Sequence, residues 1–504
     1  MISVKILIIT LCAINLLHGE TKPNIVLIYA DDLGIGMLGS HGQKVIKTPH
    51  IDKLAAEGMS FTNYYGGTLC APARWSLLTG MHFGRKGAWR HNSPGWIIRS
   101  DIAKMSDEEQ LKGLNAYVKK SSVPIPDNEV FLAEVAQKAG YKTAQFGKLD
   151  VGFLTNHERV KRFGWDHYHG YFSHSRAHGF YPPYLWKDGE KVRYEGNDDI
   201  RCGKMSEKGN EPVGSGGKVY SEHLFIKGAL DFITESKDKP FFLYYATQLP
   251  HGPVAIPELH ASVKDNEKLS LAEKKYASMV IMLDDHVGLI MKKLKEHGLD
   301  ENTIVFFTSD NGHELYYGPK KSFPKSMHGE PTNDTDKKWR TSEGGDVFDG
   351  AGGRAGIKRA AYQGGKQSPM IVRWPQKIKA GSKTDLMSSH YDFMATLAGL
   401  TNQEIPKGKD SISYLPTLFG KEQKERHDYI IFDNGFSRMG KTALITQKGW
   451  KVIEIERAQN KFQLYNIRED NEERHELSAK HPEKLAELIK VLLKELKSPR
   501  PDLQ

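Results

Sequence analysis

Cys70 sits in the run Cys70-Ala71-Pro72-Ala73-Arg74, with Leu78-Thr79-Gly80 shortly after it. The 504-residue chain holds three cysteines, and Cys12 lies in an N-terminal apolar segment, which leaves Cys70 and Cys202. So few thiols do not make a disulfide scaffold. Cys70 is therefore explained either by burial as a small apolar side chain or by chemistry. A second set of residues carries oxygen: Asp31-Asp32 and Asp310-Asn311 each follow an apolar, strand-like run. Adjacent carboxylates repel unless a cation neutralises them. Three carboxylates and an amide suit a hard divalent ion such as calcium, and they lack the nitrogen and sulfur donors that zinc prefers, which disfavours a zinc hydrolase. Each pair alone also fits a turn or a helix cap. Arg74, always charged and forked, suits gripping an oxyanion, although taken alone it reads as an ordinary surface arginine. The run from Ala73 to Leu78 predicts a helix, which puts Cys70 near a helix N-terminus, where backbone N–H groups favour anions.

These residues need a frame that brings distant parts of the chain together. Apolar runs alternate with helical patterns from Asn24 to about Thr401, the signature of a layered α/β domain with a largely parallel sheet. Strands are predicted at Asn24 to Tyr29, Thr143 to Phe146, Phe241 to Ala246, Ile304 to Thr308 and Met370 to Trp374. Helices are predicted at Ile51 to Gly58, capped by Thr48 with Pro49 in the first turn, and at Phe131 to Ala139, closed by Gly140. The chemically interesting residues lie just past strand ends, where open α/β sheets bind ligands. After about residue 402 come short β-rich runs at Tyr429 to Phe432, Ala443 to Thr446, Lys451 to Ile455 and Phe462 to Leu464. A last amphipathic helix carries Leu485, Leu488, Ile489, Leu492, Leu493 and Leu496 on one stripe, read as core contact. The Gly-, Lys- and Asp-rich segment from Pro319 to Gly356 has little periodicity and is predicted to border the site. The expected organisation is a signal segment at 1–19, a catalytic α/β domain at 20–401 and a C-terminal α+β subdomain at 402–504.

Cys-x-Pro-x-Arg followed by Leu-Thr-Gly resembles the signature of type I sulfatases, in which that cysteine is oxidised during export to formylglycine. The resemblance implies an alkaline phosphatase-like fold: a large, mixed, mostly parallel sheet sandwiched by helices, with a small C-terminal subdomain of antiparallel strands and a packing helix. It assigns Asp31, Asp32, Asp310, Asn311 and an oxygen of converted Cys70 to one calcium ion, and it implies a formylglycine-generating maturation enzyme as a partner. Arg74 would hold the hydrated aldehyde. Gly147-Lys148, the turn Leu249-Pro250-His251-Gly252-Pro253 and Lys358 match further family positions. Lys148, His251 and Lys358 would bind sulfate oxygens, with His251 or Lys358 protonating the leaving alcohol oxygen. Two departures stand out. Many relatives carry a histidine two residues after the Gly-Lys lysine, where this chain has Asp150, so either Asp150 or His313 is expected to act as base for the second half-reaction. The family's Tyr-Glu-Gly-Gly-x-Arg-x-Pro stretch reads here Tyr362-Gln363-Gly364-Gly365-Lys366-Gln367-Ser368-Pro369.

The address and the charge bear on the substrate. Lys5, the apolar run Ile6 to Leu17 and the small Gly19 read as a secretory signal, so an exported protein, periplasmic or secreted, is expected. A formal net charge of +9 predicts attraction to polyanions. The basic residues are scattered without a nucleic-acid module, and no later segment is apolar enough to cross a membrane. An extended sulfated polysaccharide or its oligosaccharides is the expected substrate, with ulvan, carrageenan and fucoidan ahead of animal glycosaminoglycans. Trp89, Trp96, Tyr171, Tyr181, Tyr184 and Trp186 are candidate sugar-stacking surfaces, against the common reading of aromatics as core. Rival readings are a formylglycine-dependent phosphodiester or phosphonate ester hydrolase, and a secreted glycan-binding protein whose Cys70 is never converted.

Overall fold

The computed structural model describes residues 22–82, 84, 106, 108, 109, 112, 128–148, 157–172, 174, 176–198, 202, 217–318, 340–433, 442–456 and 459–498. The expected signal segment, Trp89, Trp96, Asp150 and residues 319–339 lie outside the described residues. The body is one ten-stranded sheet. At its centre Thr303–Ser309, Asn24–Ala30, Phe241–Ala246, Lys142–Lys148 and His167–Tyr171 run parallel to one another in that spatial order. Beyond Thr303–Ser309, Met370–Arg373 and Met59–Phe61 continue the sheet antiparallel, with Ser382–Thr384 at the edge. At the other side Tyr184–Lys187 and Glu190–Arg193 add an antiparallel hairpin.

The central strands read as unbroken apolar runs because both faces are covered. Every residue of Asn24–Ala30, Phe241–Ala246 and Thr303–Ser309 is buried. One face packs on the helices Pro49–Glu57, Ser221–Glu235 and Leu271–Glu296, through residues such as Ile51, Phe225 and Val280. The other packs on Cys70–Thr79, Leu132–Lys138 and Asp392–Leu400, through Leu77, Leu132 and Phe393. The 26-residue helix Leu271–Glu296 opens with a capping box, Ser270 accepting from Glu273 N–H while Glu273 accepts from Ser270 N–H. Thr48 does not cap its helix through its side chain; its hydroxyl accepts from Gly39 N–H and donates to Asp52 instead.

A second, four-stranded antiparallel sheet joins Tyr429–Phe432, Ala443–Thr446, Trp450–Glu456 and Lys461–Asn466. Leu488 and Leu492 of the helix Pro482–Glu495 pack on one of its faces. A buried polar brace ties this sheet to the body: Lys451 Nζ donates to Glu473 Oε1 (2.7 Å) and to Gln363 Oε1 (3.3 Å), and Gln363 N–H donates to Glu473 Oε2 (2.7 Å). That brace occupies the stretch where the sequence departs from the family pattern, with Gln363 a partner of both charges. The described part of the expected loose rim is packed: Asp346 is buried and accepts from Phe348 N–H, Gly350 N–H and Tyr317 Oη.

Candidate active site

Parallel strands deliver the oxygen ligands to one edge of the sheet. Asn24–Ala30 ends directly before Asp31-Asp32 and Thr303–Ser309 directly before Asp310-Asn311, with Ala30 paired to Ser309. Asp310 N–H donates to Ala30 O (3.2 Å), and Asp32 N–H to Asp310 Oδ1 (2.9 Å). Asp32 adopts a left-handed backbone, φ 64°, a conformation that costs a non-glycine residue and clusters at functional sites. Lys148 closes the parallel strand Lys142–Lys148, which Phe241–Ala246 separates from Asn24–Ala30. The residue before it must be glycine: Gly147 has φ +107°, and a Cβ there would lie 2.1 Å from Ala246 O.

Cys70 is the first residue of the helix Cys70–Thr79, three residues earlier than the sequence pattern predicts, and it is buried. Arg74, one turn on, is wholly buried rather than on the surface. Its Nη2 donates to Asp310 Oδ2 (3.2 Å), its Nη1 to Lys148 O (3.4 Å), and its guanidinium lies over the Tyr29 ring at 5.0 Å. Lys148 Nζ donates to Asp31 Oδ2 (2.8 Å) and Lys358 Nζ to Asp32 Oδ2 (2.7 Å). Lys358 Nζ also lies 3.7 Å from Cys70 Sγ and 3.4 Å from His251 Nε2. His251 Nδ1 donates to Gly252 O, which turns Nε2 toward Lys358 and toward Asp32 Oδ2 at 3.4 Å. All nine sequence-predicted site residues, Asp31, Asp32, Cys70, Arg74, Lys148, His251, Asp310, Asn311 and Lys358, thus fall in one buried cluster.

Buried charges at this spacing reset one another. Burial alone would raise Asp31, but Lys148 and Arg74 pull it well below the usual carboxylate range. Burial likewise opposes ionisation of Asp32, and Lys358 and His251 overcome it. Asp310 goes the other way, pushed well up by burial and by Asp31 against the pull of Arg74. Burial disfavours a thiolate at Cys70, yet Lys148, Lys358 and His174 bring it down to about 6.

The residues fit a hard divalent cation. Asp31, Cys70 and Asp310 offer ligand atoms within 4.8 Å of one another. Asp31 Oδ1 and Asn311 Oδ1 are buried without a hydrogen-bond partner, since the Asn311 amide nitrogen donates to Asp32 Oδ1 (2.7 Å) and Gly312 O (2.8 Å). Buried acceptors left over beside mutually repelling carboxylates are what a cation satisfies.

Several residues join the site without having been singled out in the sequence. His174 Nε2 lies 3.5 Å from Cys70 Sγ. Its ring meets His178 edge-on at 4.5 Å, and His178 stacks on His251 at 4.2 Å. Tyr316 Oη donates to Asp32 Oδ2, and its ring lies 5.0 Å from His251. The position of His174, shortly after the strand His167–Tyr171, is the signal that marks it. His313, expected as a base, turns its Nε2 to Tyr317 Oη (3.1 Å) and Asp346 (3.9 Å), and its carbonyl accepts from Lys358 N–H (2.7 Å). It seats the lysine. Of the candidate stacking aromatics, Tyr171 and Tyr181 are core residues. Trp186 stacks on Phe172, and half-buried Tyr184 carries Arg176 at 4.4 Å and Lys191 at 4.1 Å from its ring centroid.

A parallel sheet that gathers carboxylates, cations and one cysteine at its carboxyl edge defines a hydrolase of anionic esters with an alkaline phosphatase-like fold. The sulfatase family model matches residues 23–403, and the model for the C-terminal part of N-sulphoglucosamine sulphohydrolase matches residues 356–501. The chain belongs to the sulfatase family and is a sulfuric ester hydrolase. It is 28% identical to the N-acetylgalactosamine-6-O-sulfatase of Bacteroides thetaiotaomicron, over 94% of this chain and 93% of that protein. It is 30% identical to the N-acetylgalactosamine-6-sulfatase of Rattus norvegicus, over 82% of this chain and 69% of that one. A solved structure concerned with the metabolism of multiple glycosaminoglycans by Bacteroides thetaiotaomicron is similar at 25% identity and a TM-score of 0.69, covering 94% of this chain and 99% of the other. The crystal structure of Ps i-CgsB in complex with k-i-k-neocarrahexaose shares the fold at 23% identity and a TM-score of 0.70, covering 94% and 93%. Among the described residues no helix is long and apolar enough to cross a membrane.

Proposed function

We propose that this protein is an exported sulfatase that removes sulfate from a sulfated polysaccharide or its oligosaccharides, using a formylglycine made from Cys70 and one calcium ion. The observation that carries the reading is the placement of Cys70: buried, first in its helix, 3.7 Å from Lys358 Nζ and in one ligand cluster with Asp31 and Asp310. Asp31, Asp32, Asp310, Asn311 and residue 70 would hold the calcium. When present, the hydrated aldehyde and the ion supply an oxygen nucleophile of lowered pKa.

The chain's own residues do the rest. Arg74 is anchored by Asp310 and Lys148 O, so its guanidinium is fixed at the helix start before any ester arrives. Lys148 and Lys358 present ammonium groups for the sulfate oxygens. Lys358 holds its proton tightly: burial works against the charge, but Asp32 and Cys70 raise the amine above its ordinary value. Burial keeps His251 well below its ordinary value, and its Nε2 faces Lys358 Nζ at 3.4 Å, so the two stand together where either His251 or Lys358 hands a proton to the departing sugar oxygen.

The full-length N-acetylgalactosamine-6-O-sulfatase relative puts a 6-sulfated amino sugar at the head of the substrate panel, with carrageenan and ulvan oligosaccharides behind it. Peptide mass spectrometry of the exported protein should find Cys70 converted, and free sulfate should appear from the oligosaccharide panel. An intact thiol, or preference for a phosphate diester, would sink the proposal.

A further inference from the structure

We infer that His174 is the base that releases sulfate from the enzyme, the role the sequence leaves open by carrying Asp150 in place of the usual histidine. This deepens the proposed function and rests on residue 70 being the nucleophile. His174 Nε2 lies 3.5 Å from Cys70 Sγ, a distance at which a small adjustment makes a hydrogen bond. Sγ occupies the place of an oxygen in the converted side chain. His174 is buried, 7% exposed, and its ring is steadied edge-on by His178, itself stacked on His251. His178 and His251 also bring a ring nitrogen within 4.8 Å of Sγ, but His251 Nε2 faces Lys358 and Asp32 and His178 stacks on His251, while His313 has its ring engaged with Tyr317 and Asp346.

The placement divides the labour. Lys358 and His251 stand together on Asp32, while His174 reaches residue 70 from the segment that follows the strand His167–Tyr171. In the first half-reaction one of the two hydroxyls on Cβ of residue 70 gives up its proton to solvent, and its oxygen bonds to sulfur. The sulfur–oxygen bond to the sugar breaks, and the departing oxygen takes a proton. In the second, His174 Nε2, in the tautomer protonated at Nδ1, takes the proton of the other hydroxyl. That O–H electron pair becomes the second bond of the aldehyde carbonyl, and the Cβ–O bond to sulfate breaks with its pair leaving on sulfate. His174 then passes the proton to solvent, and water rehydrates the aldehyde.

The test compares wild type, His174→Gln, His174→Asn and Asp150→Asn, each with conversion of Cys70 verified by peptide mass spectrometry. An aryl sulfate is used in rapid quench, with phenol, sulfate and the residue-70 peptide measured separately. For the His174 variants the expected result is one equivalent of phenol at close to the wild-type rate, then sulfate release slowed about 100-fold or more. The residue-70 peptide should be heavier than its hydrated form by one SO3, and than the free aldehyde by SO3 and one water, a signature that a merely structural histidine would not produce. In a further variant, His174→Gly, added imidazole should speed sulfate release. Equal loss of phenol and sulfate in both His174 variants, or no loss of either, overturns the inference. So does accumulation of the heavier peptide in Asp150→Asn but not in the His174 variants. A wild type that is never converted overturns the underlying function as well, which separates the two failures.

Discussion

Asp310 is the member of the carboxylate cluster that the rest of the site disfavours as an anion, which makes Asp310→Asn an informative perturbation. Its carboxyl is buried and pushed up, chiefly by burial and by Asp31. Where a carboxylate's folded-state pKa is raised, the charged form costs stability above the unfolded value. The apo fold should therefore accept the neutral asparagine at modest cost: its one amide oxygen replaces the acceptor of either Arg74 (3.2 Å from Asp310 Oδ2) or Asp32 N–H (2.9 Å from Asp310 Oδ1), and the other bond, worth about 1 kcal/mol, is lost while the penalty of a disfavoured charge goes too. Calcium binding should suffer, since a carboxylate ligand has gone. For wild type, calcium at about 100 times its Kd adds about 2.7 kcal/mol. An unfolding entropy of about 2.1 cal/mol/K per residue, on the order of 1 kcal/mol/K for a chain of 504 residues, turns that into a Tm rise of about 3 °C. Scanning calorimetry with chelator and then with calcium measures both quantities. The expected result is an apo Tm close to wild type for Asp310→Asn, with the calcium-dependent rise lost. An undiminished rise would remove Asp310 from the metal site, and a markedly lower apo Tm would show that its charge is needed by Arg74 rather than by an ion.

Other tests reach other parts of the molecule. Glu222 is fully buried, and burial pushes its carboxyl up from 4.5 to about 7. Across that window the folded chain keeps a proton that the unfolded chain releases, so stability should fall by about 3 kcal/mol as pH rises through it. Urea melts of Glu222→Gln at fixed calcium should show a flatter pH slope, and an unchanged slope would assign the titration elsewhere. Lys451→Met takes the cation from the buried carboxylate of Glu473 and should cost about 3–5 kcal/mol, read as a lower denaturation midpoint; a neutral effect would mean the brace contributes nothing. Gly147→Ala forces a Cβ onto Ala246 O in a left-handed backbone. It should lower stability by at least about 1 kcal/mol and reduce turnover through displaced Lys148, and wild-type values for both would show that the strand end yields freely.

The strand ends were legible where both faces of a sheet are covered: Phe241–Ala246 in the parallel body and Tyr429–Phe432 in the small antiparallel sheet, packed on both sides, stand out as apolar runs with the predicted limits. The carboxylate pairs follow such runs and could be placed at one edge. His174 escaped because its strand, His167–Tyr171, reads His-Tyr-His-Gly-Tyr and shows no apolar run. The burial of Arg74 was illegible for a different reason: a guanidinium enters a core only with tertiary partners, here Asp310 and Asp31, from parts of the chain far apart in sequence. The long helix Leu271–Glu296 carried a readable cue in Ser270 and Glu273 that composition alone obscures. Tyr171 and Tyr181 look like sugar platforms in sequence, and only packing reveals them as core.

The pairing of Asp31 with Lys148, Asp32 with Lys358 and Asp310 with Arg74 has a consequence for the order in which the enzyme is assembled. Each carboxyl of the site has a cation beside it, which keeps Asp31 and Asp32 charged while Asp310 is pushed toward its neutral form, so the chain can complete its fold without waiting for an ion from outside. A divalent cation that then claims the carboxylates loosens the hold on the ammonium and guanidinium groups and leaves them in excess. Affinity for a sulfate ester is in this sense latent in the newly folded chain, and loading of the metal would have to come before loading of the ester.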